Sequence, residues 1–269
     1  MLPAPDLVVR VDPARGAKIT SLIDGDGTEW LAQAARPEVP PPGTSFVDAE
    51  MAGWDECAPT VTDCLIDGAS VPDHGDAWDR AWVPAGDGLR HAGTSLPYVL
   101  ERTITQAPGG GLRLTYRATT TADAVPFLWV GHPQFSAPPG TRIEFPEPPG
   151  RVVDVLAEGH PVAPWTEDLG AVDRVPLGTC AKLYVHPEER VPGADLVRPD
   201  GNRLRLTWSP NVPYLGLWYD VAAVAPAPVV AIEPALGYFD SLAVAAGNGT
   251  APILTPDSPL VWWLELHRP

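Results

Sequence analysis

The chain has 269 residues, of which 34 are proline and 25 are glycine, and its formal net charge at pH 7 is −16. Hydrophobic residues make up 45% of the sequence, enough for a chain of this length to bury a substantial core. The prolines are spread along the whole chain. Because each proline in a helix interior costs about 3 kcal/mol, a mainly α-helical fold is excluded.

The acidic balance, 34 Asp and Glu residues against 18 Lys and Arg residues, excludes partners that select clustered positive charge. Nucleic acids and anionic membranes are such partners, and the sequence contains no run of basic residues. A neutral small molecule such as a sugar is compatible with this charge. Nothing in the sequence indicates an oligomeric state.

The amino-terminal hexapeptide Met-Leu-Pro-Ala-Pro-Asp has neither the basic region nor the apolar region of a signal peptide. The longest apolar stretch, residues 221–232, is interrupted by Pro226 and Pro228 and is too short to span a bilayer. The three widely spaced cysteines are more typical of buried thiols in a reducing compartment than of a disulfide framework. We therefore expect a cytoplasmic, soluble enzyme or binding protein.

Alternation of apolar and polar residues with a period of two predicts antiparallel strands with one solvated face. The pattern is clearest in 111–119 and 203–208, where the even-numbered residues are predicted to face inward. The predicted strands, in chain order, are 7–11, 17–22, 98–105, 111–119, 127–130, 181–185, 203–208, 214–219, 229–233 and 260–267.

Turns rich in glycine and proline separate these strands, and the Pro-rich segment 36–43 is predicted to be a loop. The turns are evenly spaced from end to end, and no change in composition marks a linker. These features predict a single all-β domain over residues 1–269, a large sandwich of two antiparallel sheets.

Three segments place an ionisable side chain beside aromatic and turn-forming residues: 71–82, 125–135 and 229–237. Glu233 ends an otherwise apolar strand, where hydrophobic surroundings would raise its pKa towards the value that a general base needs. His132 precedes Pro133, which favours an extended backbone at a strand end. Each residue also has a structural interpretation: Glu233 reaches solvent as its strand ends, and His132 binds a backbone carbonyl.

His74 lies in the turn sequence Asp-His-Gly-Asp and is either a site residue or a solvated loop residue. A metal site built on His74 and Asp76 is an alternative, although the six histidines lack the spacing of metal ligands. Trp78, like the other tryptophans, fits the core better than a sugar-binding platform. The sequence lacks a glycine-rich phosphate loop, a G-x-S-x-G elbow and an H-E-x-x-H pair.

Five short motifs follow one another along most of the chain. They are Gly16-Ala-Lys-Ile-Thr-Ser-Leu followed by Gly27-Thr-Glu-Trp-Leu31, Gly53-Trp-Asp-Glu-Cys-Ala-Pro-Thr60, Asp73-His-Gly-Asp-Ala-Trp78, Gly131-His-Pro-Gln-Phe135 and Ile232-Glu-Pro-Ala-Leu-Gly237. Each motif is weak alone. In this order, and on an all-β background, they resemble the galactose mutarotase-like family, the aldose 1-epimerases, in a divergent bacterial branch.

The resemblance implies a β-supersandwich fold and an isomerase of carbohydrate metabolism that interconverts the α and β anomers of a free sugar. At the matching positions, Glu233 is the general base on the C1 hydroxyl and His132 is the general acid on the ring oxygen. His74 binds substrate hydroxyls. Ring opening needs one proton to leave O1 as another reaches O5, so the resemblance implies a sugar substrate and no metal or organic cofactor.

The sequence departs from well-known family members at the segment 53–56, where those members carry an Asn-Arg pair whose Arg binds sugar hydroxyls. Here Asp55 and Glu56 stand in the segment, and together with Trp78 they are the candidate substrate-binding residues. Because Asp55 and Glu56 are adjacent in an extended chain, their side chains point to opposite faces, and both cannot line one site.

A second departure lies beside the predicted strand 181–185. Lys182 follows Ala181 where well-known members have a substrate-binding Asp. That contact is either lost or supplied by Asp168 or Asp173. These departures keep a second hypothesis open, a catalytically inactive carbohydrate-binding protein on the same fold.

Overall fold

The computed structural model describes residues 6–269. Residues 1–5, on which the expectation of no signal peptide largely rests, lie outside the described part. The described residues form 21 strands, two short helices and two 3₁₀ turns. The strands are β1 Leu7–Asp12, β2 Lys18–Asp24, β3 Gly53–Cys57, β4 Cys64–Ile66, β5 Ala69–Val71, β6 Val83–Ala85, β7 Gly88–Ala92, β8 Tyr98–Gln106, β9 Leu112–Thr120, β10 Val125–Pro126, β11 Val130–Ser136, β12 Arg142–Glu144, β13 Arg151–Asp154, β14 Val162–Pro164, β15 Thr179–Val185, β16 Gly193–Val197, β17 Arg203–Trp208, β18 Tyr214–Val221, β19 Val229–Ala235, β20 Ile253–Leu254 and β21 Leu260–His267. The helices are α1 Glu167–Gly170 and α2 Leu242–Gly247, and the 3₁₀ turns are Phe46–Asp48 and Val172–Arg174.

Two large sheets, in which neighbouring strands run antiparallel, organise these strands. The first has nine strands in the order β1-β2-β3-β11-β19-β18-β15-β13-β14, and the second has eight in the order β12-β16-β17-β21-β9-β8-β7-β6. Two small ribbons, β4-β5 and β10-β20, complete the strand pairing. The strands β3, β11 and β19 at the middle of the nine-stranded sheet come from distant parts of the sequence, so long-range pairing brings their side chains together.

The prediction of an all-β sandwich is confirmed. The predicted strands 203–208 and 260–267 coincide with β17 and β21, and 36–43 lies in an irregular segment. The even-numbered residues of β9 and β17 are buried, as their alternation predicts. That residues 1–269 form a single domain stays a prediction.

The predicted strand 127–130 is wrong. The strand in this region, β11, begins at Val130, so that His132 lies within it and not at its end. Glu233 likewise lies within β19, which continues to Ala235. Strand ends were predicted at both residues, yet both strands continue because neighbouring strands pair with them.

The core lies between the two large sheets and is rich in aromatic side chains. Trp129, Tyr116 and Trp262 are fully buried, with ring centroids 4.7 to 5.3 Å apart. Buried aromatic pairs of this kind add stabilisation beyond the area that they remove from water. The inner face of the nine-stranded sheet packs against this core, which leaves its outer face for the irregular segments that cover it.

Among residues 6–269, no helix has both the length and the apolar character needed to cross a membrane.

Candidate active site

A row of side chains crosses the outer face of the nine-stranded sheet. In the strand register, Asp55 on β3 lies opposite His132 on β11, Glu233 on β19 lies opposite Gly216 on β18, and Gly216 lies opposite Tyr184 on β15. Directly opposed residues share a face and lie within side-chain contact. The sheet therefore gathers residues from five strands into one polar row.

Glu233 and His132 meet at the centre of this row. His132 Nε2 lies 3.3 Å from Glu233 Oε1, and the two residues are 4% and 1% exposed. Within these two described strands, residues pair at Val130–Ala235 and again at Phe135–Val230, but the stretch between is unpaired. Pro133 and Pro234 lie in that stretch and have no N–H to donate. The backbone pairing between β11 and β19 is therefore interrupted beside His132 and Glu233, the acid and base candidates.

Burial pushes both groups towards their uncharged forms. Burial raises the pKa of Glu233, and the Lys182 ammonium opposes this by favouring the carboxylate. Burial also lowers the pKa of His132 well below its usual range, helped by repulsion from His74, Lys182 and Lys18. These directions leave the pair holding one proton between them across an intermediate pH range. That proton sits either on His132, giving an ion pair, or on Glu233, giving two neutral groups.

Lys182 is a site residue whose role the sequence did not assign. Its Nζ lies 3.0 Å from Glu233 Oε2 and 2.7 Å from Asp240 Oδ1, and the Tyr184 hydroxyl donates to the same Asp240 oxygen at 2.6 Å. Burial disfavours the ammonium, but Asp240 and Glu233 outweigh burial and raise the pKa of Lys182. A charged lysine therefore bridges the carboxylate of the base candidate, Glu233, and that of Asp240.

The carboxylate beside Lys182 is Asp240, and not Asp168 or Asp173, which the sequence offered as substitutes. Asp173 accepts a hydrogen bond from the Gly140 N–H at 2.9 Å, and Asp168 lies in α1. Asp240 carries no local signal in the sequence because it follows an irregular turn after β19. The alternation of Cys180, Lys182 and Tyr184 along β15 was the one pattern that could have placed Lys182 on the site face.

His74 reaches the row from the loop between β5 and β6. Its backbone has a positive φ of 57°, and the next residue, Gly75, has φ 74°. A Cβ on Gly75 would lie 1.9 Å from the Ala58 carbonyl oxygen, so glycine is required for the loop to approach this closely. The ring centroids of His74 and His132 are 6.0 Å apart. Three of the candidates named from the sequence, Glu233, His132 and His74, therefore form one cluster.

Asp73 anchors this loop. Its Oδ2 lies 3.0 Å from His74 Nδ1. Burial opposes ionisation of the carboxyl group, but hydrogen bonds from His74 and from the Phe46 backbone N–H outweigh burial and lower the pKa of Asp73. The metal site considered for His74 and Asp76 is not formed, because Asp76 turns away and accepts hydrogen bonds from Ser95 N–H at 2.6 Å and Thr94 N–H at 2.7 Å. Across residues 6–269, His, Cys, Asp and Glu side chains form no group of three or more suited to a metal ion.

Asp55 and Glu56 separate to the two faces of β3, as adjacency in a strand requires. Asp55 is on the site face, where Lys18 Nζ lies 2.8 Å and Gln134 Nε2 lies 3.3 Å from its Oδ2. The strand register places Asp55 opposite His132, and its substrate-binding role stays a prediction.

Glu56 does not join the site. It is fully buried on the inner face, where Arg102 Nη1 lies 2.5 Å and the Tyr116 hydroxyl 3.0 Å from its Oε1. Trp129 Nε1 donates to the other carboxylate oxygen at 2.7 Å. The charge of Glu56 is thus matched inside the core, and the assignment of Glu56 to substrate binding is corrected to a structural role.

Aromatic rings close the cluster on its outer side. Phe46 packs with its ring 4.9 Å from Trp78 and 5.3 Å from His132, while Trp218 lies 5.6 Å from His132. Trp78 is 3% exposed, and its indole N–H is buried without a hydrogen-bond partner in the described structure. Phe46 was missed because the irregular segment that carries it shows no periodic pattern.

A cavity of about 320 Å³ adjoins these rings. Its wall includes Trp78 and Asp55, the charged side chains of Arg15, Lys18 and Glu50, and part of the segment 36–49. Lys18 contacts both Asp55 and Glu50, and Arg15 contacts Glu50. The same wall also carries the charged residues Arg36, Glu38 and Asp48. The cavity therefore offers hydrogen-bonding groups of both charge signs, which suits a polar molecule.

The arrangement can carry out paired acid–base chemistry. A buried carboxylate and an imidazole in contact can remove a proton from one atom and deliver another to its neighbour. A lysine holds the carboxylate, and histidine and aromatic rings pack around the pair. This combination is more specific than any one of its residues.

Comparisons with known proteins agree with the fold. The structure superposes on Slr1438 of Synechocystis sp. PCC 6803 with a TM-score of 0.72 and 18% identity, covering 98% of this chain and 93% of that one. A galactose mutarotase-like protein from Clostridium acetobutylicum superposes with a TM-score of 0.69 and 13% identity, covering 98% of this chain and 93% of that one. A GalM/aldose epimerase homologue from C. elegans superposes with a TM-score of 0.67 and 14% identity, covering 97% of this chain and 96% of that one. The sequence matches no protein-family model and no curated protein. The chain has the galactose mutarotase-like fold.

Proposed function

We propose that this protein is an aldose 1-epimerase-like isomerase that interconverts the α and β anomers of a free, neutral sugar. The observation that carries the proposal is the contact of 3.3 Å between Glu233 and His132 on the outer face of the central strands. O1 and O5 of a cyclic sugar are bonded to the same carbon. An acid and a base that serve these two oxygens must therefore be neighbours, and this pair is.

In the proposed reaction, Glu233 takes the proton from the C1 hydroxyl while protonated His132 gives one to the ring oxygen. The C1–O5 bond breaks and C1 becomes an aldehyde. Rotation about C1–C2 turns the other face of the aldehyde towards O5, and the reverse proton transfers close the ring as the other anomer. Each acid or base group of this kind contributes roughly 10²–10⁴-fold to a rate.

The two proton arrangements of the buried pair correspond to the two ends of ring opening. The ion pair of Glu233 and His132 is the form that accepts the closed sugar, and the neutral pair is the form left after the ring has opened. Because burial favours uncharged groups, it supports the second form. Lys182 counters this by stabilising the Glu233 carboxylate at 3.0 Å, which keeps the first form accessible.

Anomer-exchange NMR on a panel of neutral aldoses tests the proposal. Glu233→Gln removes the base and keeps the side-chain volume, so exchange should fall by about 10²–10⁴-fold while the fold is retained. Glu101→Gln is a matched control because Glu101 lies on β8 of the other sheet, paired with Arg117. Full activity in Glu233→Gln, checked for folding by circular dichroism, would refute the assignment.

The same experiment addresses the carbohydrate-binding alternative. The charged contacts at Asp55 and Lys182, which stand where well-known members carry other residues, are the observation that favours it. If no aldose exchanges above the uncatalysed rate, yet sugar addition still shifts protein resonances, the protein is a binder without turnover.

A further inference from the structure

Phe46 packs against two of the three candidate residues, His74 and His132. Its ring stacks on the His74 imidazole with centroids 3.8 Å apart and planes 7° from parallel. The same ring presents an edge to His132 at 5.3 Å and to Trp78 at 4.9 Å. Rings stacked at 3.8 Å are in van der Waals contact, so nothing can lie between Phe46 and His74.

This placement conflicts with a bound sugar. A sugar that engages Glu233 and His132 and also bonds to His74 must lie in the space that these three residues share. Phe46 contacts two of the three and is itself only 2% exposed. The ring therefore takes the place that the proposed substrate needs.

The segment that carries Phe46 has only a few contacts with the rest of the protein. Within residues 33–50, here named the entry segment and all described by the structure, Phe46 is the one buried residue. The segment contains no strand, and three of its four prolines are exposed. A few polar contacts attach it to the body, including Gly43 N–H to Asp79 Oδ2 at 2.8 Å and Glu50 to Lys18 at 3.3 Å. The Phe46 backbone N–H also donates to Asp73. One buried ring and a few polar contacts can be released while both sheets stay intact.

We propose that Phe46 is the residue that controls sugar affinity, by occupying the sugar position in the free protein and withdrawing with the entry segment when a sugar binds. The inference rests on the proposed function, because the ring is an obstruction only if a sugar binds beside Glu233, His132 and His74. Phe46 then acts as a specificity-determining residue that competes directly with substrate for the site. Sugars that gain enough contact to displace the ring are bound, and smaller polyols are excluded.

The consequence for affinity follows from population arithmetic. When the binding-competent state is a minor one, the apparent dissociation constant is the intrinsic constant divided by the competent fraction. Minor states of folded proteins are typically populated at about 0.1–10%. Removing the ring should therefore tighten sugar binding by about tenfold or more.

Histidine NMR and calorimetry on Phe46→Ala test the proposal, with Val47→Ala as the matched control. Val47 lies in the same 3₁₀ turn but is 50% exposed. Because a stacked ring shields the protons beneath it, the His74 ring protons should be shifted upfield in the wild type and in Val47→Ala, and should return in Phe46→Ala. The His74 signals are assigned with His74→Gln. The probes are D-glucose, D-galactose, D-xylose and L-arabinose, titrated into each protein.

The expected result is that a binding sugar moves the wild-type His74 signals to their Phe46→Ala positions and that Phe46→Ala binds the sugar at least about tenfold more tightly. Sugar binding with His74 still shielded overturns the proposal. Equal or weaker binding by Phe46→Ala also overturns it, and continued loss of anomer exchange in Glu233→Gln would then show that the proposed function survives alone. If neither protein binds any sugar, both proposals fail, because the variant has removed the obstruction.

Discussion

Gly216 offers a direct way to disturb the candidate base without touching it. A Cβ at this position would lie 2.7 Å from Glu233 Oε2 and 3.4 Å from both Glu233 Cβ and Tyr184 Cζ. Ordinary contact begins at about 3.4 Å, so Gly216→Ala must displace the carboxylate oxygen by about 0.7 Å. The displaced atom is the far end of a side chain, which can move while the backbone stays in place.

The size of the effect follows from this displacement. Misplacing a reacting group by about 1 Å costs roughly 10²-fold in rate, and we expect kcat/KM for anomer exchange to fall by about that factor. Stability should change little. Gly216 does not have a positive φ, and alanine is favoured over glycine within a strand by roughly 0.5–1 kcal/mol, which offsets the tighter packing. We expect a free energy of unfolding within about 1 kcal/mol of the wild-type value.

The assay combines anomer-exchange NMR with urea denaturation of Gly216→Ala. The control is Gly25→Ala, because Gly25 is exposed and a Cβ there meets nothing within 4 Å. Wild-type exchange in Gly216→Ala would refute the reasoning, since it would mean that the position of the Glu233 carboxylate does not matter. A large loss of stability would refute the argument that only the end of the side chain must move.

Two further predictions concern the buried charges. Lys182→Met should raise the pKa of Glu233 beyond the effect of burial. The acid limb of the pH profile of kcat/KM then moves to higher pH, so that activity on that limb falls and is recovered as the pH rises. Lys182→Arg keeps the limb in place, and an unmoved limb in the methionine variant contradicts this. Arg102→Met leaves the Glu56 carboxylate in the core without the cation that contacts it, and should lower the free energy of unfolding by about 3–5 kcal/mol. Adding Glu56→Gln should restore part of that loss in urea denaturation, and a loss below 1 kcal/mol for the single variant would count against a buried ion pair.

Sequence periodicity predicted the strands whose pattern is local. β17 and β21 match the predicted ranges because each alternates cleanly between a buried and a solvated face. The order of strands within a sheet is not local information. β3 and β11 are neighbours although more than seventy residues separate them, so alternation alone could not show that Asp55 faces His132.

The part of the site that escaped prediction depends on such cross-sheet geometry. Lys182 lies on β15, and β18 separates that strand from β19, which carries Glu233. The two side chains meet because Gly216, opposite both Glu233 and Tyr184, has no side chain to stand between them. A glycine in a strand is a sequence signal for close approach, but the identity of the groups that approach follows only from strand order.

At His132 and Glu233, in the candidate site, the rule that proline is confined to edge strands does not hold. Pro133 and Pro234 each follow a candidate catalytic residue, and proline is normally confined to edge strands because it cannot donate to a ladder. Here both prolines lie in central strands, within the stretch where β11 and β19 are unpaired. The missing N–H groups therefore cost the sheet little at that point, while β3 and β18 hold the strands from their other sides. A rule broken in two neighbouring strands at one place is typical of a functional site, and the contact between His132 and Glu233 lies at that place.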